Sequence, residues 1–413
     1  MRRALDYRGG GLFPHAVMAA ALAIVTFYSA FLNRIHGIAS PMVVLLLIIW
    51  AVGMWECEGR ASRDLIAVWA AYLATALLVT RFLSHVYPLL GADAVQKLFA
   101  LAPASFAVGW ILVRTGRIIQ YLSWYLAIGL LTVVPAVGSY ALNRPLLGHR
   151  TFARNGHVRA VVGADHPLVL GTLLLACIPL AFYLLGRWRY LGVLMLYVGV
   201  FTTGSNGPEI VGGVLILFCA LRPLARMAFT TVRPLTALLV ALGVYLTLGG
   251  ALWWGSEIRG FSTSAVSDGY RTALYHLMIT LLIAHPFGYG FHGLPGNTWY
   301  FSTQKGIVDA AASIDSELVY GVTQFGYLWV AVFVAIAACA VAAIRRNQAI
   351  ALSSLSVTLA GLFLAIHSWN SLGSFWAVGF GSCAALVFRY PNSCTWTSLG
   401  APVRTRSMLL ELA

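Results

Sequence analysis

Charge is what this sequence has least of. Of its 413 residues only 10% are Asp, Glu, Lys or Arg, and the acids number 13. A chain this long would ordinarily make two or three soluble domains of roughly 150 residues each. So few ionic side chains cannot clothe such a surface, and a hydrophobic content of 60% with a mean hydropathy of +0.82 points to the bilayer as solvent. Cysteine chemistry is also missing. Cys57, Cys177, Cys219, Cys339, Cys383 and Cys394 form no CxxC pair and no metal spacing, which excludes a disulfide framework and a zinc site as organising features. Internal repeats and low-complexity linkers are absent as well.

What is present is a series of apolar runs, at 14 to 32, 41 to 55, 64 to 80, 98 to 113, 117 to 141, 167 to 186, 188 to 203, 207 to 221, 234 to 253, 317 to 343, 349 to 366 and 370 to 388. About 20 helical residues at 1.5 Å each cross the hydrocarbon, so the expectation is an all-α integral membrane protein of about twelve transmembrane helices, one polytopic domain over 1–413.

The net charge of +14 is explained by topology rather than by a nucleic-acid partner. With the N-terminus inside, seventeen of the 27 Lys and Arg residues fall on the inner side, among them Arg114, Arg117, Arg187, Arg189, Arg345 and Arg346. The short outer loops hold only Arg34, Arg81 and Lys97, and the other seven lie in two long outer loops, where the positive-inside rule is weak. Both termini are therefore expected inside. The opening MRRALDYRGG and the run from Pro14 to Leu32 are read as an uncleaved first span, since the run is long for a signal peptide.

Polar residues collect in the two long outer loops, 142–166 and 254–316. The first carries Arg144, His149, Arg150, Arg154, His157, Arg159 and His166 beside a single acid, Asp165. A cationic outer loop suits anionic lipid headgroups, or a phosphate or pyrophosphate gripped by guanidinium forks. The second opens with Trp253 and Trp254 and continues through Ser267 to His285, where Leu274, Leu277, Met278, Leu281 and Leu282 recur at helical spacing. An amphipathic helix along the outer interface is expected there. This loop also supplies Arg259, Arg271, His276, His285, His292 and Lys305, with acids Glu257, Asp268, Asp309, Asp315 and Glu317. A GxGxxG match at 288 to 293 follows a helix and meets Pro295. It is not a dinucleotide site, and its glycines allow tight turns beside a ligand or the membrane.

Three short polar breaks complete the inventory. Asp315 and Glu317 stand two residues apart, on different faces of a helix, so they are not a paired acid and base. Asp315 or Ser316 suits an N-cap and Glu317 the first turn. Thr202-Thr203-Gly204-Ser205-Asn206-Gly207-Pro208-Glu209 forms a short outer turn with an acid just inside a span. His367-Ser368-Trp369-Asn370 forms a similar one.

Taken in order, Arg159 and His166-Pro167 with Gly171, the turn Thr203-Gly204-Ser205, Arg271 followed by His285-Pro286-Phe287-Gly288-Tyr289-Gly290, and Asp315-Ser316-Glu317 before Gly326 resemble the O-antigen ligase and O-antigen polymerase family of bacterial envelope glycosyltransferases. The resemblance covers residues 159–330. Two positions depart from it: Asn206 replaces an arginine usual after the short turn, and Asp315 stands where the ligase branch has a histidine, which tilts the reading toward polymerase.

The resemblance implies transfer of a polyprenyl-diphosphate-linked glycan to a hydroxyl of an acceptor glycan at the outer face of the bacterial inner membrane, with inversion. It needs no cofactor and no metal if arginines carry the diphosphate charge, and a base must deprotonate the hydroxyl. Arg159 and Arg271 are the expected diphosphate ligands, with Arg154 and Arg259 behind them. Asp315 is the first choice of base, followed by His292, Glu317 and His166, and Trp299, Tyr300 and Tyr289 are placed to stack on sugar rings. Partners are the lipid-linked donor, a glycan acceptor, membrane lipids and a chain-length regulator, with no nucleic acid. Rival expectations are a ligase joining glycan to lipid A core, and a secondary transporter or lipid flippase, although transporters place their charges near the midplane.

Overall fold

The computed structural model describes residues 12–28, 101–114, 116–147, 151–154, 156–164, 166–220, 263–290, 294–296, 299–303, 306–309, 314–366 and 370–388. Within them the chain is mostly helical. Its helices are α1 (Leu12–Phe27), α2 (Ala102–Arg114), α3 (Ile118–Ala141), α4 (Pro167–Leu184), α5 (Arg189–Thr202), α6 (Asn206–Ala220), α7 (Thr263–Ala284), α8 (Glu317–Phe325), α9 (Tyr327–Ala343), α10 (Gln348–Ala360) and α11 (Asn370–Val387). Nine of the twelve apolar runs fall on described residues, and each contains a helix. The runs 41–55, 64–80 and 234–253 lie outside the described residues. Among the described residues two helices, α3 and α4, are long and apolar enough to cross a membrane; the other apolar helices there are shorter.

Helix α4 forms the centre. It carries no charge, begins with Pro167 at its first position, where the missing N–H costs nothing, and buries residues on every side: Leu170, Leu173, Leu174, Leu175, Cys177, Ile178 and Leu180 have no exposed surface. Helices α3, α5, α6 and α10 pack around it. Because the apolar interior gives helices little to recognise beyond shape, hydroxyl groups make the specific links. Tyr125 donates to the carbonyl of Leu173 at 3.3 Å, Ser353 to Ala176 at 2.9 Å, and Ser382 to Gly109 at 3.2 Å. Outward, α3 and α5 expose Leu131, Val134, Leu191 and Leu194, an apolar surface that water does not favour.

The bundle has two chemically distinct ends. Helices α3, α4, α5 and α6 alternate in direction, α3 joined to α4 by the long segment 142–166 and the others by short turns, and the start of α6 meets Phe363 just beyond α10. The described residues of 142–166, with 203–205 and 361–364, therefore lie at one end. The turns at 116–117, 185–188 and 344–347, which carry or border Arg114, Arg117, Arg187, Arg189, Arg345 and Arg346, lie at the other.

Three features add to or differ from the expectation. Segments 142–166 and 254–316 each contain an antiparallel hairpin, β1 (Phe152–Arg154) with β2 (His157–Arg159), and β3 (Tyr300–Thr303) with β4 (Gly306–Asp309). Strands of three or four residues carry too short a period to stand out among loop residues. The run 317 to 343 is two helices, because Gly326 takes φ +57 and ends α8. A side chain there would collide with the carbonyl of Pro286. Gly288 of the GxGxxG match turns against protein, where a side chain would meet the Gln324 backbone, and Tyr289 N–H donates to Thr323 O at 2.8 Å and Tyr327 N–H to Pro286 O at 2.9 Å, which docks residues 286–289 on the break between α8 and α9. Helix α7 has the expected buried stripe, Leu274, Leu277 and Leu281.

Candidate functional site

Arg159 leaves the end of β2, and the strand is tied to the 203–205 turn by the Ala160 N–H bond to Thr202 O at 3.0 Å. Its guanidinium then grips the turn: Nε donates to Thr203 O at 2.7 Å and an Nη to Ser205 Oγ at 2.9 Å. Two of the five N–H groups of the fork are engaged in this way, which fixes the plane of the cation. The turn opens α6, whose first turn holds Glu209.

His166 caps α4. Its Nδ1 accepts the Leu168 N–H at 3.2 Å, and its ring meets the edge of Phe152 at 4.8 Å. Burial, and secondarily the Arg159 charge, pull its pKa down from 6.5 to about 4. The ring is neutral at neutral pH, and the cap bond occupies the Nδ1 lone pair, leaving the hydrogen on Nε2. In this arrangement His166 closes the start of α4 through Nδ1.

The second half of the site is built on α7 and the start of α8. Ser316 is the N-cap of α8, accepting the Val319 N–H at 3.5 Å, so Ser316 takes the capping place and not Asp315. Glu317 follows in the first turn with 0% exposure, and its N–H is shared between the carbonyls of Gly361 at 2.6 Å and Leu364 at 3.0 Å. Asp315, one residue before the cap, is half-buried. From α7, the Tyr275 hydroxyl donates to Leu362 O at 2.9 Å and lies 3.2 Å from Ser316 Oγ. Burial pushes its pKa up to about 12, against the hydrogen bond to Ser316 and the nearby Arg271 charge. Arg271 stands one turn before Tyr275, half-buried, with its Cζ 5.6 Å from the centroid of the Phe363 ring.

Phe363 joins the two halves. Gly207, two residues after Ser205, packs so closely on it that a side chain at 207 would come within 2.7 Å of the phenylalanine Cβ. The start of α6, just beyond the turn held by Arg159, and the helix bearing Arg271 thus meet at one ring. Sequence reasoning missed Phe363, for which no local signal exists, and Tyr275, whose i+4 spacing from Arg271 was a usable one.

The remaining candidates divide. Tyr289 is half-buried and packs on His285 at 4.4 Å. Trp299 is half-buried and Tyr300 exposed at the start of β3, an arrangement open enough for a sugar face. Arg154 pairs in register with His157 on the first hairpin. Arg259 and His292 lie outside the described residues. Among the described residues no group of three His, Cys, Asp or Glu side chains is placed to hold a metal.

Chemically, one end of the bundle carries two arginines, two carboxylates and a rigid turn, and it lies opposite the arginine-rich turns. Arginines of this kind can orient an anion, and a carboxylate at the same end can accept a proton. No family model matches the chain, and no curated protein matches it.

Proposed function

We infer that the chain is a membrane-embedded glycosyltransferase of about twelve spans, with both termini inside, that moves a glycan from polyprenyl diphosphate to a hydroxyl of an acceptor glycan at the outer face of the bacterial inner membrane. The observation that carries this reading is that Phe363 packs on the start of α6, just beyond the turn gripped by Arg159, and lies under the Arg271 guanidinium, at the end of the bundle that also carries Asp315 and Glu317 and stands opposite the other arginine-bearing turns.

A glycan on a lipid diphosphate already has a good leaving group. Transfer then needs stabilisation of the departing diphosphate and one base. Arg159, its fork fixed by Thr203 and Ser205, and Arg271, steadied on Phe363, fill the first role. Asp315 fills the second: it is half-buried and is not the cap, whereas Glu317 is enclosed and its backbone ties α8 to the 361–364 turn. In-line attack inverts the anomeric carbon, and Trp299 and Tyr300 border the path of the saccharide. Asp315 in place of the ligase histidine favours polymerisation over ligation to a lipid core.

The test is incubation of the purified protein with a lipid-diphosphate-linked oligosaccharide from its host, without nucleotide or added metal. Longer lipid-linked chains that vanish in Arg159→Ala and Arg271→Ala and in Asp315→Asn support the reading. Absence of transfer with the right acceptors, together with movement of the lipid across a vesicle bilayer, replaces it with a transporter.

A further inference from the structure

At the end of the bundle opposite the candidate site, two arginines are held on aromatic rings. Arg189 opens α5 with its Cζ 4.8 Å from the Tyr190 ring centroid and 5.2 Å from that of Phe182, and Arg187 lies 5.3 Å over Trp188. Trp188 and Tyr190 are 55% and 60% exposed, so these rings face the surroundings as well as the cations. From Tyr190 onward the exposed side chains of α5 are all apolar: Leu191, Leu194, Met195, Val198 and Phe201, the spacing of one helix face. At the far end Phe201 meets the edge of Tyr140 at 6.3 Å, and Tyr140 stacks on His157 at 5.2 Å. An apolar face between two aromatic collars is the pattern of a helix in lipid, with the collars at headgroup level.

The length of α5 then places the arginines. Its 14 residues span about 21 Å at 1.5 Å per residue, against a hydrocarbon thickness of about 30 Å. With the Phe201 collar at one boundary, Arg187 and Arg189 fall about 9 Å short of the opposite one, a gap that local thinning of the bilayer and the length of the arginine side chains close, which brings the guanidinium groups to the phosphates of that leaflet. The acids among the described residues, Glu209, Asp268, Asp309, Asp315 and Glu317, all belong to α6 and α7 or to the outer segments around the candidate site.

We propose that Arg187, Trp188, Arg189 and Tyr190 form a docking site for the phosphate of an anionic phospholipid in the leaflet opposite the candidate site. The aromatic rings pre-orient the guanidinium forks, and the apolar face of α5 receives the acyl chains. This inference rests on α5 being embedded in a membrane and not on the transfer reaction.

The experiment uses the full chain purified in detergent and titrated with phosphatidylglycerol, phosphatidylcholine or inorganic phosphate, read by native mass spectrometry and by thermal unfolding. Wild type should bind phosphatidylglycerol at least tenfold more tightly than phosphatidylcholine, and rising salt should erode that preference. The double variant Arg187→Gln with Arg189→Gln should bring the two lipids within about twofold, while Arg187→Lys with Arg189→Lys keeps an intermediate preference. Equal binding of both lipids by wild type, a salt-independent preference, full retention in the glutamine variant, or the same stabilisation by inorganic phosphate would each overturn the proposal. If the glutamine variant does not fold, the lysine variant and the salt dependence decide. A wild type that stays soluble and monodisperse without detergent overturns the embedding itself, whatever the transferase assay gives.

Discussion

Trp329 Nε1 donates to the carbonyl of Glu317 at 3.1 Å, a contact between residues twelve apart that a continuous helix forbids. Along one straight helix their Cα atoms would be about 18 Å apart. The bond exists because Gly326 breaks the run, so that α8 turns away from α9 and Trp329 lies across its first turns. Gly321 lies under the indole, where no side chain fits. The buried carboxylate of Glu317 thereby belongs to a separate short element clamped between α9 and the 361–364 turn.

Gly326→Ala should be among the most damaging small substitutions in the chain. Positive φ and the blocked space at Pro286 act together, so a loss of about 2–4 kcal/mol is expected. Trp329→Phe, which keeps the ring but abandons the Glu317 carbonyl, should cost about 1–2 kcal/mol. Thermal or denaturant unfolding in detergent measures both, and a milder effect from Gly326→Ala than from Trp329→Phe would contradict this account of the break.

Arg159→Lys should not rescue Arg159→Ala. A single ammonium cannot reproduce the bond to Thr203 O and the bond to Ser205 Oγ from one rigid plane. Transfer of the lipid-linked glycan should fall at least a hundredfold in both variants, about 2.7 kcal/mol of transition-state stabilisation. Comparable rates for lysine and arginine would show that charge alone suffices.

Asp315→Asn and Glu317→Gln should separate chemistry from architecture. The half-buried Asp315 lies outside the cap, so its amide should abolish transfer while moving the unfolding midpoint by no more than a degree or two. Glu317→Gln alters a fully enclosed side chain and should register mainly as lost stability. Full transfer by Asp315→Asn would move the base elsewhere.

Acid should weaken the protein through His166. Its folded pKa is lowered to about 4 from 6.5, so the stability that its neutral form contributes is complete above pH 6.5 and is lost as pH falls through 4. The size is on the order of 2–3 kcal/mol. His166→Asn keeps an acceptor for the Leu168 N–H without a titrating ring, and should flatten the unfolding profile between pH 6.5 and 4. An unchanged profile would assign the acid sensitivity to other groups.

Much of the helical plan was legible before any coordinates. The apolar runs at 117–141 and 167–186 became α3 and α4 nearly residue for residue, since long runs with no charge inside them leave little choice, and Pro167 suits the first position of the second. The arginines at 114, 117, 187, 189, 345 and 346 were assigned to one side by alternation, and the packing puts their turns at one end of the bundle. The break at Gly326 was not legible, because hydropathy does not register a change of direction within an apolar run. Two short hairpins escaped for want of length.

The candidate site divides the same way. Arg159, the 203–205 turn, Arg271, Asp315 and Glu317 were all recognisable by residue type, because charges stand out in a chain that has so few. Their grouping was not. The sequence by itself determined the helical class, the apolar surfaces and which side chains carry the chemistry, since composition and period act locally. Only the tertiary structure decided that Phe363 brings the start of α6 beside Arg271, that His166 is a cap, and that Glu317 is enclosed. Each of these depends on contacts between segments distant in the chain, and contact is a property of packing that no local pattern encodes.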